Sequence, residues 1–220
     1  MFGGLFGSSK LLGVDIGSNT IKIAELDVGR SDATLNSFAF LPTPQGALNN
    51  GEIVNVAAIS DTIKALFLQI KSKRKSTSVG MLGSSVIVKK ITIPKIEKKL
   101  LAQQALFEAE QYIPFDPQAI SLSFSQINLS SSPDTMDVML VAAQNQIVNQ
   151  FIGAINGARL KLGVLDVCGF ALANSFEFNY GVVQGKTIAL VCMGSTTTNF
   201  VIVSSGEVIF SRDVPYGGLN

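Results

Sequence analysis

The sequence predicts an α/β protein of two strand-rich halves, with a small α+β insert between them. Three observations carry this. Leu11 to Asp27, LLGVDIGSNTIKIAELD, reads as an apolar strand, a tight polar turn and a second strand. Leu12, Val14 and Ile16 alternate with Gly13, Asp15 and Gly17, the period of two that marks a half-buried strand. The same pattern returns 177 residues later, where Ala-Leu-Val-Cys-Met-Gly-Ser at 189–195 aligns with Leu-Gly-Val-Asp-Ile-Gly-Ser at 12–18. Between the copies, strand and helix patterns alternate in the order β-α-β-β-α-β over 85–166.

Taken in order, the hairpin is followed by a strand at Thr34–Leu41 and a turn-rich stretch at Pro42–Gly51. Val56, Ile59, Ile63, Leu66, Phe67 and Ile70 then recur at three- and four-residue steps, predicting an amphipathic helix. Lys71-Ser-Lys-Arg-Lys75 follows, and cations at a helix C-terminus complement its dipole. A short strand at Val79–Leu82 ends at Gly83. The insert starts at Ser85, with strands at Val86–Val88 and Ile91–Ile93 stopped by Pro94. A helix is predicted over Lys95–Tyr112, a strand over Ala119–Asn128, a loop over Ser130–Asp134 and a strand over Met136–Ala143. Ile147, Val148, Phe151, Ile152 and Ile155 mark a second amphipathic helix closed by Gly157, before a strand at Leu162–Val167. Phe170–Phe178 is helical; Thr187–Met193, Thr198–Val203 and Val208–Val214 are strands, the last two joined at Gly206. The units are therefore 1–84, the insert 85–166, a return helix 167–184 and the second half 185–220.

Composition removes several chemistries. The chain has no histidine, which excludes Ser-His-Asp and Cys-His nucleophile machinery and His-based metal sites. Cys168 and Cys192 have no metal-ligand spacing, and two isolated thiols point to a reducing cytoplasm. The stretch MFGGLFGSSK has no basic region before an apolar core, so no secretory signal is read there; Phe2, Leu5 and Phe6 make it a mildly apolar terminus. No apolar run reaches the roughly 20 residues a spanning helix needs. Charged residues are 15% of the chain, low enough to expect sizeable cores or partner-facing surfaces. Net charge is +1, but the window Lys64–Lys99 holds ten Lys/Arg and one acid, Glu97. No aromatic or base-reading residues interleave in Lys71–Lys75, so that run reads as a solvated basic end and no nucleic-acid partner is expected; the wider window is read as solvated, with a face for anionic lipid headgroups as the alternative.

The hairpin turns carry the chemistry. Gly17-Ser18-Asn19-Thr20 offers a glycine for close backbone approach and successive N–H groups that can cradle an anion. Asp15 before the turn and Lys22 after it suit phosphates with a metal: Lys adds a point charge and Asp meets Mg²⁺ directly or through water. One such hairpin is a weak motif. Two copies facing each other across a cleft would grip a polyphosphate from both sides.

The duplicated hairpin resembles the two phosphate loops of the actin/Hsp70/sugar-kinase superfamily. Within it the chain resembles the PilM family of actin-like type IV pilus assembly proteins, relatives of the division protein FtsA. The residues that carry this are Gly13-Val-Asp-Ile-Gly-Ser-Asn-Thr-Ile-Lys22, Ile93-Pro94, Glu108-Ala-Glu-Gln-Tyr-Ile-Pro-Phe115, Leu165-Asp-Val167 with Ala171-Leu-Ala173, and Val214-Pro-Tyr-Gly-Gly218. The resemblance implies an actin-like, ribonuclease-H-like ATPase fold. Residues 1–84 would be subdomain 1A, 85–166 the 1C insert, 167–184 the return helix of 1A and 185–220 the start of 2A. Family members run on through the rest of a second domain with the adenosine-binding loops; this chain corresponds to the part before it.

The resemblance also implies ATP and Mg²⁺ as cofactors. Asp15 would face Mg²⁺ through water, Gly17, Ser18, Asn19 and Thr20 would hold β- and γ-phosphates, and Lys22 would approach them. Gly194, Ser195, Thr196 and Thr198 would wrap the phosphates from the other side. Asp166 would be the catalytic candidate, an acid that orients water or metal; read from the sequence alone it is a helix cap. One departure stands out: the second hairpin begins with Cys192 where the superfamily carries Asp, and a thiol is a poor Mg²⁺ ligand beside hard oxygen. The implied function is a cytoplasmic scaffold, peripheral to the inner membrane and working with other pilus assembly components. It would dock the cytoplasmic tail of an inner-membrane PilN-like protein in a groove between 1A and 1C. The rival readings are an ATPase or small-molecule kinase of the superfamily, with Asp166 as its base, and an FtsA-like filament-forming division protein.

Overall fold

The structure, a computed structural model, describes residues 10–29, 32–82, 86–127 and 132–219. Phe2, Leu5, Phe6, Gly83, Ser85, Asn128 and residues 130–131 of the expected loop lie outside the described residues.

Strands β1 (Leu12–Ile16), β2 (Thr20–Val28) and β3 (Ala33–Pro42) form an antiparallel meander, with Leu12 opposite Glu25 and Lys22 opposite Phe40. The turn-rich stretch after β3 holds a two-residue ladder, β4 (Leu48–Asn49) with β5 (Glu52–Ile53). Helix α1 (Val56–Ile70) is capped by Asn55, whose side chain accepts the Ala58 N–H at 3.0 Å. It ends where Lys71 turns left-handed at φ 52°. β6 (Ser76–Met81) then runs parallel beside β1. The basic stretch after α1 is anchored rather than simply solvated. Arg74 pairs with Glu25 at 3.3 Å and Asp27 at 2.5 Å and donates to the Leu26 carbonyl, and Lys75 sits over the Phe67 ring.

The insert is shorter than the sequence suggests. β7 (Val86–Pro94), β8 (Ile120–Ile127) and β9 (Thr135–Gln144) make a three-stranded antiparallel sheet in the order β7-β9-β8. Helix α2 (Leu101–Tyr112), entered through a 3₁₀ turn at Lys98–Leu100, covers it with Leu101, Ala105 and Ala109 buried. A half-buried network sits in this sheet: Asp137 accepts from Lys90 and Thr92. Burial alone would raise the Asp137 carboxyl, but these two donors and the Lys90 charge hold it below its ordinary value.

Helix α3 (Asn145–Gly157) and strand β10 (Lys161–Val167), expected to close the insert, belong to the first layer instead. β10 pairs in parallel with β6, which gives a five-stranded sheet in the order β10-β6-β1-β2-β3. Ile147, Phe151, Ala154 and Ile155 of α3 share one core with Ile59, Ile63 and Leu66 of α1 and with Leu12, Val14, Ile21 and Ile23. The amphipathic stripe of α3 was legible, but only tertiary packing decides which sheet it covers.

Helix α4 (Cys168–Tyr180) leads to β11 (Thr187–Met193), β12 (Thr198–Ser204) and β13 (Glu207–Val214), a second antiparallel meander in the order β11-β12-β13. Cys192 stands opposite Asn199, as Asp15 stands opposite Lys22. Phe170 of α4 joins Ile127 and Met139 of the insert in a small core that Val208 of β13 also packs against.

Candidate functional site

The two hairpin turns are built alike. The Gly17 N–H donates to the Thr20 carbonyl at 3.1 Å, and the Gly194 N–H donates to the Thr197 carbonyl at 2.9 Å. A Cβ at Gly17 would lie 2.9 Å from the Thr20 oxygen, and one at Gly194 would lie 2.8 Å from the Thr197 oxygen. Both distances are inside van der Waals contact, so both turns need glycine. Each turn is held from behind by the segment that follows its third strand. Thr43 donates to the Gly17 carbonyl through Oγ1, and its N–H donates to Asn19. The Gly218 and Leu219 N–H groups donate to the carbonyls of Gly194 and Ser195.

The turns meet tip to tip. Ser18 Oγ lies 2.7 Å from Ser195 Oγ, and Thr196 Oγ1 donates to Ser18 Oγ at 2.8 Å. Behind this contact lies a cleft of about 420 Å³. Asp15, Gly17, Ser18, Asn19, Thr20 and Lys22 line one side; Cys192, Gly194, Ser195, Thr196, Thr197 and Asn199 line the other. Cys168 and Leu172 of α4 complete the wall. Lys22 Nζ donates to Asp15 Oδ2 at 2.6 Å, and both side chains are well exposed, so the pair is worth at most about 1 kcal/mol and yields readily to a ligand. Clustered N–H groups, hydroxyls and one ammonium fit phosphate oxygens, and Asp15 fits a hydrated hard cation. Cys192 does not. Burial pushes the Cys168 thiol up, and the charges of Asp15, Asp213, Asp166 and Cys192 push it further, so it is an inert wall rather than a nucleophile.

Nine of the ten predicted binding residues line this cleft. The exception is Thr198, which is buried and donates to the Tyr216 carbonyl at 2.6 Å. The 177-residue offset explains it: Thr197 takes the place of Thr20, and Asn199 takes the place of Lys22. Asp166 also falls outside the cleft. It sits at the end of β10, accepts from the Val167 N–H at 2.8 Å, and its carboxyl is raised by burial. Its cap role is not seen either, since the residue preceding the α4 helix is Val167. Asn199 and Cys168 also line the cleft without being expected there: strand parity with Lys22 points to Asn199, whereas Cys168 arrives through packing alone.

Asp166 faces a second cavity instead, of about 580 Å³, between the insert and the first sheet. Its walls are residues 121–125 of β8, residues 163–167 of β10, Met139 and Val141 of β9, and Phe170 and Asn174 of α4. β8 and β10 are each the outer strand of their sheet, so two strand edges face this groove.

A family model described as type IV pilus assembly protein PilM matches residues 13–220. The chain belongs to the PilM family. Among solved structures it is similar to a chain of the PilM–PilN type IV pilus biogenesis complex, at 28% identity and a TM-score of 0.85. That match covers 95% of this chain and 62% of the other, so the chain spans less than two thirds of that PilM-type relative. The cytoplasmic domain of EpsL, an inner-membrane component of the type II secretion system of Vibrio cholerae, matches at 12% identity and a TM-score of 0.57, over 93% of this chain and 71% of its own. The ethanolamine utilization protein EutJ from Carboxydothermus hydrogenoformans matches at 12% identity and a TM-score of 0.50, over 98% of this chain and 55% of its own. The fold is therefore actin-like, as the PilM-type hairpins led one to expect. Among the described residues no helix is long and apolar enough to cross a membrane.

Proposed function

We propose that this PilM-family chain is a cytoplasmic scaffold that docks the cytoplasmic tail of a PilN-like inner-membrane protein and holds nucleotide phosphates between its two hairpins. The observation that carries the docking is the groove between insert and first sheet, bordered by the edges of β8 and β10. An extended peptide adds to such an edge through main-chain hydrogen bonds, while side chains find pockets between. Leu122, Phe124, Val141 and Phe170 supply apolar contacts, and Ser121, Ser123, Ser125 and Asn174 supply polar ones. Membership of the PilM family and the similarity to a chain of a PilM–PilN complex support a partner of this kind.

The duplicated turns support ATP with Mg²⁺ as the ligand of the cleft. The amides of Gly17–Asn19 and Gly194–Thr196, the hydroxyls of Ser18, Ser195 and Thr196, and Lys22 would hold phosphate oxygens. Asp15 would hold the hydrated cation, which when bound supplies charge neutralisation between the phosphates. The Ser18–Ser195 contact would have to yield to phosphates held between the tips, which ties ligand binding to the spacing of the two turns. The placement of Asp166 outside the cleft takes away the residue on which the kinase reading rests, and this favours a scaffold over a kinase.

Calorimetric titration with a synthetic peptide of the PilN-like tail tests the docking. Ser123→Trp, at an exposed position in the groove, is expected to abolish binding with an unchanged melting temperature. Full affinity in this variant places the tail elsewhere.

A further inference from the structure

The fold divides the basic window of the sequence. Lys89, Lys90 and Lys99 go to the insert, where Lys90 pairs with Asp137, Lys99 pairs with Glu97 and Lys89 lies over the Tyr112 ring. Lys71, Lys73 and Lys75 go to the first layer, at the end where β6 begins. Topology brings further cations to them. The Lys161 N–H donates to the Lys75 carbonyl at 2.8 Å as β10 starts beside β6, and Arg159 precedes it. Lys10 precedes β1, whose Leu12 stands opposite Thr77. The parallel strands β1, β6 and β10 therefore all begin on one basic end, and the cleft lies at the other end of β1. Of the acids there, Glu25 and Asp27 are held by Arg74, Asp27 also by Lys10, and Asp32 stands in the β2–β3 turn. Lys71, Lys73, Arg159 and Lys161 are exposed and make no ion pair among the described residues. Neither α1 nor α3 carries a basic residue in its last turn, so the helix dipole does not account for Lys73, Lys75 or Lys161. Apolar side chains share this end. Leu26 and Leu35 face each other across β2 and β3, Val28 ends β2, Leu68 is in the last turn of α1, and all four are 41% to 66% exposed.

We infer that this end of the first sheet is a docking surface for anionic phospholipid headgroups. Lys71, Lys73, Arg159 and Lys161 meet the lipid phosphates, and Val28, Leu35 and Leu68 enter the boundary between headgroups and acyl chains. Charge complementarity selects an anionic surface, and the exposed aliphatic side chains select lipid. A nucleic acid would call for aromatic stacking or base-edge donors instead. Phe2, Leu5 and Phe6 precede Lys10 by at most eight residues, so they are tethered to this same end. The surface is separate from both the cleft and the tail groove, so it stands or falls independently of what those two sites bind.

The test is co-sedimentation of the full chain with vesicles at low salt. Vesicles of equal parts phosphatidylglycerol and phosphatidylcholine should bind it, and vesicles of phosphatidylcholine alone should not. Each cation removed beside an anionic surface weakens binding about fivefold. Lys71→Asn, Lys73→Ser and Lys161→Ser together should therefore weaken it about a hundredfold, with an unchanged melting temperature. Lys89→Ser, Lys95→Ser and Lys99→Ser remove the same charge from the insert and should change binding by less than about threefold. Val28→Ser with Leu68→Ser should weaken vesicle binding about tenfold and leave retention on heparin unchanged. Absence of binding to the anionic vesicles overturns the inference. So does an equal loss in the two triple variants, which would mean attraction by net charge alone, or equal binding to phosphatidylcholine, which would mean apolar adhesion without headgroup charge. Unchanged vesicle binding in the aliphatic variant also overturns it and makes this end a site for a soluble polyanion.

Discussion

The two hairpins share a backbone and differ in what surrounds them. In the first, Val14 is 4% exposed, within a core of two helices and five strands. Its counterpart Val191 is 53% exposed on the outer strand of a three-stranded sheet. In the first, the strand before the turn ends in a carboxylate beside a lysine; in the second, it ends in a thiol beside a buried amide. Yet the glycine turn, its closing hydrogen bond and its support from the segment after the third strand recur in both. The turn geometry therefore follows from its own local residues, while stability and charge are set by the neighbours each half receives.

The largest expected contrast is in stability. Val14→Ala removes two buried carbons and should cost about 2 kcal/mol, and Val191→Ala should cost less than about 0.5 kcal/mol. Denaturant unfolding of both variants checks this, and equal costs would break the contrast between a packed and an open half. Next comes the likeness of the turns. Gly17→Ala and Gly194→Ala should each weaken pyrophosphate binding about tenfold, or about 1.4 kcal/mol, since each new Cβ pushes on a turn carbonyl. A loss at one glycine only would mean that a single hairpin holds the ligand.

The thiols give a similar contrast. Cys192 is exposed, and Cys168 is largely buried with its thiolate disfavoured, so maleimide at neutral pH should modify Cys192 at least about tenfold faster. Bound pyrophosphate should slow Cys192 further; equal rates would place Cys168 outside the wall of the cleft. The smallest effect belongs to the exposed pair: Lys22→Ala should lower stability by at most about 1 kcal/mol while weakening phosphate binding. A stability loss beyond that would make Lys22 a structural residue.

Much of this was legible in the sequence for a physical reason. Strand alternation and glycine turns are local signals, so both meanders and nine of the ten residues expected at the cleft follow from residue order. The β10 strand shows the limit. Its pattern, like that of α3, says that one face is buried, and nothing in Leu162–Val167 says that Ser76–Met81 lies alongside. Asp166 differs from expectation for the same reason, since β10 carries it to the groove side of α4. Thr198 is a different kind of miss: one step of strand parity moves a side chain from the cleft to the core.

The account rests most on the claim that both hairpins hold one ligand. Following the backbone amides of Gly17, Ser18, Gly194 and Ser195 by NMR, as Mg²⁺ and pyrophosphate are added, tests it directly. All four signals should shift along one binding curve with a single Kd. Movement of only one pair, or two curves with different midpoints, would contradict a shared site.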